Sequence, residues 1–293
     1  MPSLRALLDA GIDVAAVVTN PDKPFGRKQE LKPPPVKETA LAAGLEVRQP
    51  RSARDEGFRA WLVGVAPDVA TVVAYGKILP QELLDVPPHG FVNVHFSLLP
   101  LYRGAAPVQR ALMEGRARTG VSLMVLTAGM DEGPVLAAEE TGILPDESAG
   151  MLGERLAEVG ARLLAEVLPA YVRGDVRPVP QDDARATYAP KVTTEEARID
   201  WSRPAAELDG FVRGLDPEPG AWTELEGARL KVFRLSPVES SLQPGEVRAE
   251  GSLLVGTGAG TAQLVEVQPA GKRRMAATDL ARGLHLSPGA HCG

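Results

Sequence analysis

The chain has 293 residues, of which 44% are hydrophobic and 24% charged, with a formal net charge of −6. That length suits two domains, each able to bury a core, and no apolar run approaches the roughly 18–20 residues of a membrane span. Cys292 is the only cysteine, which excludes a disulfide within the chain and points to a reducing cytoplasm.

Four histidines accompany that cysteine, and no metal site is expected from so few ligands. The opening Met-Pro-Ser-Leu-Arg shows no basic region followed by an apolar core, so no secretory signal is expected. Leu4, Leu7 and Leu8 predict a helix over residues 3–10, and residues 12–18 a buried strand broken only by Asp13. Residues 21–35 hold too many prolines for a helix or central strand. The same region is basic: Lys23, Arg27, Lys28, Lys32 and Lys37 stand against Glu30 alone. Residues 36–43 predict a short helix ending at Gly44.

Apolar strands follow over residues 69–74, 91–95 and 121–126, and a long amphipathic helix over 148–168. Strands separated by helices predict an α/β, doubly wound, mostly parallel, Rossmann-like sheet covered on both faces. In such sheets the active site lies beyond the carboxyl ends of the strands, where Tyr75-Gly76, His95 and the turn after Thr127 stand. The pattern dissolves near residues 176–191. A helix at 205–214 then precedes β-type runs at 230–235, 246–249, 253–256 and 262–267, spaced by glycine and proline as a small β-barrel requires. The expected division is a catalytic domain over residues 1–185, a linker over 186–197 and a second domain over 198–293.

The chemistry concentrates in Phe-Val-Asn-Val-His-Phe-Ser-Leu-Leu-Pro, residues 91–100. Asn93 and His95 lie two apart on a strand and so share a face. Residues 127–134, Thr-Ala-Gly-Met-Asp-Glu-Gly-Pro, add Asp131 in a glycine-flanked turn. An amide that donates to an oxyanion, an imidazole that donates or shuttles a proton, and a carboxylate that accepts one suit transfer of an acyl-like carbon to an amine.

Asn-x-His-x-Ser-Leu-Leu-Pro and the later Met-Asp-Glu-Gly resemble the folate-dependent formyltransferases. The basic loop, Ala-Arg-Ile-Asp-Trp at 197–201 and Pro-Ala-Gly-Lys-Arg-Arg-Met at 269–275 resemble those members that formylate methionyl-tRNA. The resemblance spans essentially the whole chain, with five motifs in the family's order. It implies transfer of the formyl group of 10-formyltetrahydrofolate, through a tetrahedral intermediate, to the amino group of initiator methionyl-tRNA. Asn93, His95 and Asp131 are then the expected catalytic residues. Ser97, Leu98, Leu99 and Pro100, with Tyr75 and Gly76, are expected at the folate site. Arg27, Lys28 and Lys32 are expected on the tRNA acceptor stem, with Lys272, Arg273 and Arg274 as further phosphate contacts. The second domain is expected to be an OB-like barrel assisting tRNA binding, and the protein a cytoplasmic monomer without a membrane partner. The net negative charge is unusual for an RNA binder, but the two basic clusters are local. A formyltransferase acting on a small amine, an amino sugar or a purine precursor, is disfavoured because a small substrate needs neither the basic loop nor the tail. Intact Asn93, His95 and Asp131 argue against a catalytically dead RNA-binding relative.

In that family a strand and a Gly-Thr-Pro turn stand before the first helix, in the middle of the sheet. Without them two strands are expected to lack a ladder partner, at about 1–3 kcal/mol for each group left buried and unsatisfied. A start assigned to an internal GTG codon, with about 15 residues encoded upstream, is the expected explanation. The upstream DNA tests it, and a stop codon there with no in-frame strand overturns it.

Overall fold

The computed structural model describes residues 1–25, 30–240, 242–249, 251–283, 286–287 and 289–293. It falls into two compact units, Met1–Gly104 with Gly120–Thr141 and Glu154–Tyr188, and Ala105–Thr119 with Gly142–Gly153 and Ala189–Gly293.

In chain order the first elements are α1 (Pro2–Asp9), β1 (Ala16–Val18), β2 (Lys23–Phe25), β3 (Glu30–Lys32), α2 (Pro35–Ala42), β4 (Glu46–Arg48), α3 (Glu56–Val65) and β5 (Ala70–Val72). They are followed by α4 (Gln81–Leu84), β6 (Phe91–His95), α5 (Pro107–Met113), β7 (Arg118–Val125), β8 (Val135–Gly142) and α6 (Ala149–Val172). β1 pairs in parallel with β4, and β5 in parallel with β6. β6 and β7 are antiparallel, and β8 completes the order β5-β6-β7-β8. The expectation of a mostly parallel sheet is therefore corrected. The connection from β7 to β8 is too short for the dozen or more residues that a parallel crossover needs. Val125 N–H accordingly donates to Pro134 O and Ile143 N–H to Ala117 O at the two ends of an antiparallel pair.

Among the described residues β1 and β5 form no ladder with one another. A cavity of about 640 Å³ lies along both edges, lined by Val14, Val18, Thr71, Val73, Phe91 and Leu168 among others. The apolar packing follows the same division. Leu4, Val17 and Ala40 pack together beside β1, and Leu62, Leu83, Leu84 and Phe91 beside β5 and β6. Within the proline-rich basic segment, residues 23–25 and 30–32 pair as a two-stranded ribbon: Pro24 stands opposite Leu31 and Lys23 opposite Lys32. Proline is tolerated in such an edge ribbon, where its missing N–H breaks no central ladder.

α6 carries Leu156, Leu164 and Leu168, all buried, at four-residue steps on one face. Gly160 continues that row because a Cβ there would stand 2.5 Å from Val94 Cγ1 and 3.2 Å from Val121 Cγ1. The helix therefore lies close against β6 and β7, which fixes the strand that bears Asn93 and His95.

The second unit adds α7 (Ala205–Gly214), β9 (Ala221–Leu225), β10 (Ala228–Val238), β11 (Val247–Ala249), β12 (Leu253–Gly256), β13 (Thr261–Pro269), β14 (Met275–Ala276) and α8 (Ala277–Gly283). Its sheet runs β11-β12-β13-β10-β9 with β14 on β13, and neighbouring strands in it are antiparallel. Register shifts at Val232–Leu235 curl β10. His291 and Cys292 bridge Glu246 and Leu225, at the sheet's two ends. Trp201, Leu208, Phe211, Leu235 and Leu264 are buried in one core. α5 belongs to this unit because Gly210 of α7 lets it approach: a Cβ at Gly210 would stand 2.7 Å from Leu112 O.

Candidate active site

β6 is held on both sides, with Asn93 opposite Val72 of β5 and Met124 of β7. Alternation puts Asn93 and His95 on one face; His95 is buried and Asn93 half-buried. The chain then turns sharply, and the turn is fastened to β7. Ser122 Oγ donates to Ser97 O (2.8 Å) and accepts from Leu99 N–H (3.1 Å). Ser97 Oγ donates to Leu101 O at 2.6 Å and the residue is fully buried. Its hydroxyl thus shapes the turn, and Leu98, Leu99 and Pro100 are half-buried beside it.

His95 Nε2 stands 2.9 Å from Tyr102 O. A carbonyl oxygen only accepts, so Nε2 carries a proton and Nδ1 is the nitrogen left to exchange one. Nδ1 stands 3.7 Å from Asp131 Oδ2. Asp131 occupies the left-handed region at φ 52°, where aspartate is tolerated better than most residues. Its Oδ2 also accepts from Gly104 N–H at 2.8 Å. Glu132 is exposed. A side chain from β6 and one from the β7–β8 turn, 36 positions apart in sequence, thus meet as an imidazole–carboxylate pair, on the strand face that Asn93 shares.

Tyr75 and Gly76 follow the end of β5. Tyr75 O accepts from Asn20 Nδ2 at 3.0 Å. Tyr75 Oη is buried without a hydrogen-bond partner, and burial raises the phenol's pKa. The ring borders the cavity beside β5. The base of the basic ribbon is tied nearby: Lys37 Nζ donates to both oxygens of Asp22 (2.9 and 2.8 Å) and to Gln49 Oε1 (2.8 Å). The hydrogen bond from Lys37, with one from Gln49, holds the Asp22 carboxyl below its ordinary range.

Of the expected tRNA contacts, Arg27 and Lys28 lie outside the described residues. Lys32 is exposed on β3. Lys272, Arg273 and Arg274 are also exposed, but Arg274 is neutralised locally. It donates to Asp216 Oδ1 (2.8 Å) and Oδ2 (3.1 Å) and to Glu266 Oε2 (2.8 Å). It also lies 4.1 Å from the Phe233 ring centroid. Among the described residues no group of three or more His, Cys, Asp or Glu could hold a metal ion, and no helix is long and apolar enough to cross a membrane.

Sequence reasoning missed Tyr102, Gly104 and Gln181, which bond to the imidazole–carboxylate pair or its backbone, and Arg103, which bonds to Gln181. Tyr102, Arg103 and Gly104 lie within four residues of the motif's Pro100, but no pattern marks them. Gln181 sits in a stretch without periodicity and carried no signal.

Comparison with known proteins shows the family and the fold. The family described as Formyl transferase matches residues 3–168, and that described as Formyl transferase, C-terminal domain, matches residues 191–285. The methionyl-tRNA formyltransferase of Myxococcus xanthus is 47% identical over 289 residues, covering 98% of this chain and 92% of that protein. That of Bacillus licheniformis is 44% identical over 298 residues, covering 100% and 94%. Solved structures agree on the fold. The chain superposes on HypX from Aquifex aeolicus in complex with tetrahydrofolic acid with a TM-score of 0.63 at 22% identity, covering 83% of this chain and 43% of that one. It superposes on WlaRD, a sugar 3N-formyl transferase, with a TM-score of 0.67 at 15% identity, covering 93% and 94%. The chain belongs to the formyl transferase family.

Proposed function

We propose that this chain transfers the formyl group of 10-formyltetrahydrofolate to the amino group of initiator methionyl-tRNA, with Asn93, His95 and Asp131 as its catalytic residues. The observation that carries the catalytic reading is the approach of His95 Nδ1 to Asp131 Oδ2 at 3.7 Å, on the strand that also bears Asn93. The folate supplies the activated formyl carbon. The bond from the amino group to that carbon forms first, giving a tetrahedral intermediate, and collapse of that intermediate breaks the bond to the folate nitrogen. The amine loses one proton and the folate nitrogen gains one, so no net proton is released.

Attack leaves negative charge on the formyl oxygen. The Asn93 side-chain N–H is a donor for it. His95 donates from Nδ1 only as imidazolium, because Tyr102 O holds the other ring proton. Asp131 stabilises that imidazolium and accepts the proton leaving the amine. Removing one such oxyanion donor costs about 2.7–4 kcal/mol. Leu98, Leu99 and Pro100, with the Tyr75-Gly76 strand end, are proposed to wall the folate site, and Ser97 to set the turn's shape.

On the acceptor side, the sequence segment containing Arg27, Lys28 and Lys32 is proposed to meet the acceptor stem. Lys272 and Arg273 are proposed phosphate contacts on an OB-like second unit. Arg274, saturated by Asp216 and Glu266, is a lesser candidate. A cytoplasmic monomer completes the proposal. The test is formylation with 10-formyltetrahydrofolate of methionyl-tRNA, of an amino sugar and of no acceptor. Turnover on methionyl-tRNA alone is expected, and Arg27→Ala should raise KM for that tRNA with the KM for folate unchanged. Preference for the sugar amine, or equal loss of both affinities, defeats the respective part.

A further inference from the structure

We propose that Gln181 is a positioning residue that sets the separation of His95 and Asp131, acting through the buried Arg103. This rests on the catalytic reading of Asp131 above. Gln181 is remote in sequence from both, on the segment after α6. Its amide makes the four hydrogen bonds that a primary amide can make. Nε2 donates to Asp131 O (2.8 Å) and Gly133 O (2.7 Å). Oε1 accepts from Arg103 Nε (3.0 Å) and Nη2 (2.9 Å).

One end of this clamp bonds to the pair's backbone, and the other holds the residue between the two that bond to its side chains. One end holds the backbone on either side of Glu132, where Asp131 is kept in the left-handed region at φ 52°, a conformation that persists only when its surroundings enforce it. The other end holds Arg103, which is 2% exposed. The residue before Arg103 supplies the carbonyl that fixes His95 Nε2, and the residue after it supplies the N–H that binds Asp131 Oδ2. Arg103 N–H donates to Thr187 O and Tyr102 N–H to Thr187 Oγ1. Arg103 Nη2 also reaches Asp183 Oδ1 at 2.6 Å, at the exposed rim. The segment from Val179, which exchanges backbone hydrogen bonds with Val135, to Thr187 therefore straps the carboxylate turn to the imidazole turn. Gln181 is the only side chain named in this strap that bonds to both.

A double-mutant cycle between Gln181→Glu and Asp131→Asn tests this. Gln181→Glu leaves Arg103 an acceptor but removes both donors to the Asp131 turn. A folded Gln181→Glu is expected to lose about 10- to 100-fold in kcat, the scale of a misplacement near 1 Å, with KM for methionyl-tRNA and for folate within about twofold. In the Asp131→Asn background the same change should have little further effect, because the group it positions is already absent. A purely structural role would lower the denaturation midpoint while leaving kcat per folded enzyme unchanged. Parental kcat in folded Gln181→Glu, or losses that multiply in the double variant, overturns the proposal. If Asp131→Asn alone has no effect, the catalytic reading fails instead. Should Gln181→Glu not fold, Gln181→Met, which keeps the apolar stem, is read in the same cycle by the same two criteria.

Discussion

Asp131→Asn separates the charge of this site from its shape. Asparagine keeps an oxygen for the Gly104 N–H that now donates at 2.8 Å, and it tolerates the left-handed backbone at φ 52°. What it loses is the negative charge 3.7 Å from His95 Nδ1 and the capacity to take a proton. Two unit charges about 4 Å apart interact by about 4 kcal/mol at an effective dielectric constant of 20. His95 and Asp131 are only 6% and 18% exposed, so solvent screens little of this. That agrees with the roughly 10²–10³ in kcat attributed to one oxyanion stabiliser. The assay is steady-state formylation of methionyl-tRNA, with the thermal midpoint measured alongside. Loss of about 10²–10³ in kcat is expected, with KM and midpoint little changed. A folded Asp131→Asn retaining kcat within about tenfold of the parent refutes the reasoning. Asp131→Ala should add instability, because it strands the Gly104 N–H, at about 1–3 kcal/mol for such a group.

Gly133→Ala should destabilise the first unit by more than the usual 1–3 kcal/mol of overpacking, since its Cβ would fall 1.7 Å from Val125 O, a backbone atom of β7; an unchanged denaturation midpoint would contradict this. Cys292 is buried and its thiol is pushed up to about 12 by that burial. At pH 8 its alkylation should therefore be about 10³-fold slower than that of an ordinary thiol with a pKa near 8.5, and labelling of folded protein at the free-cysteine rate would contradict it.

The local pattern of this chain determined its repeating elements. Period-two alternation marked β6, with Asn93 and His95 on one face, and four-residue spacing marked α6, because side-chain direction follows backbone period whatever the partner. The linear motifs also named Asp131, since a glycine-flanked turn is itself local. Tertiary structure decided the partners. Pattern did not disclose that residues 23–25 pair with residues 30–32 as a ribbon, that β8 pairs antiparallel with β7, or that α5 joins α7. Each of these depends on chain closure over distance rather than on a residue's neighbours. The same holds for polar side chains: Arg274 reads as a free cation until Asp216 and Glu266 are brought to it, and Gln181 as part of a stretch without periodicity until its amide meets Arg103 and the Asp131 turn. A hydrogen-bonding group declares its valence in the sequence, but which donor or acceptor fills it is set only when distant segments close.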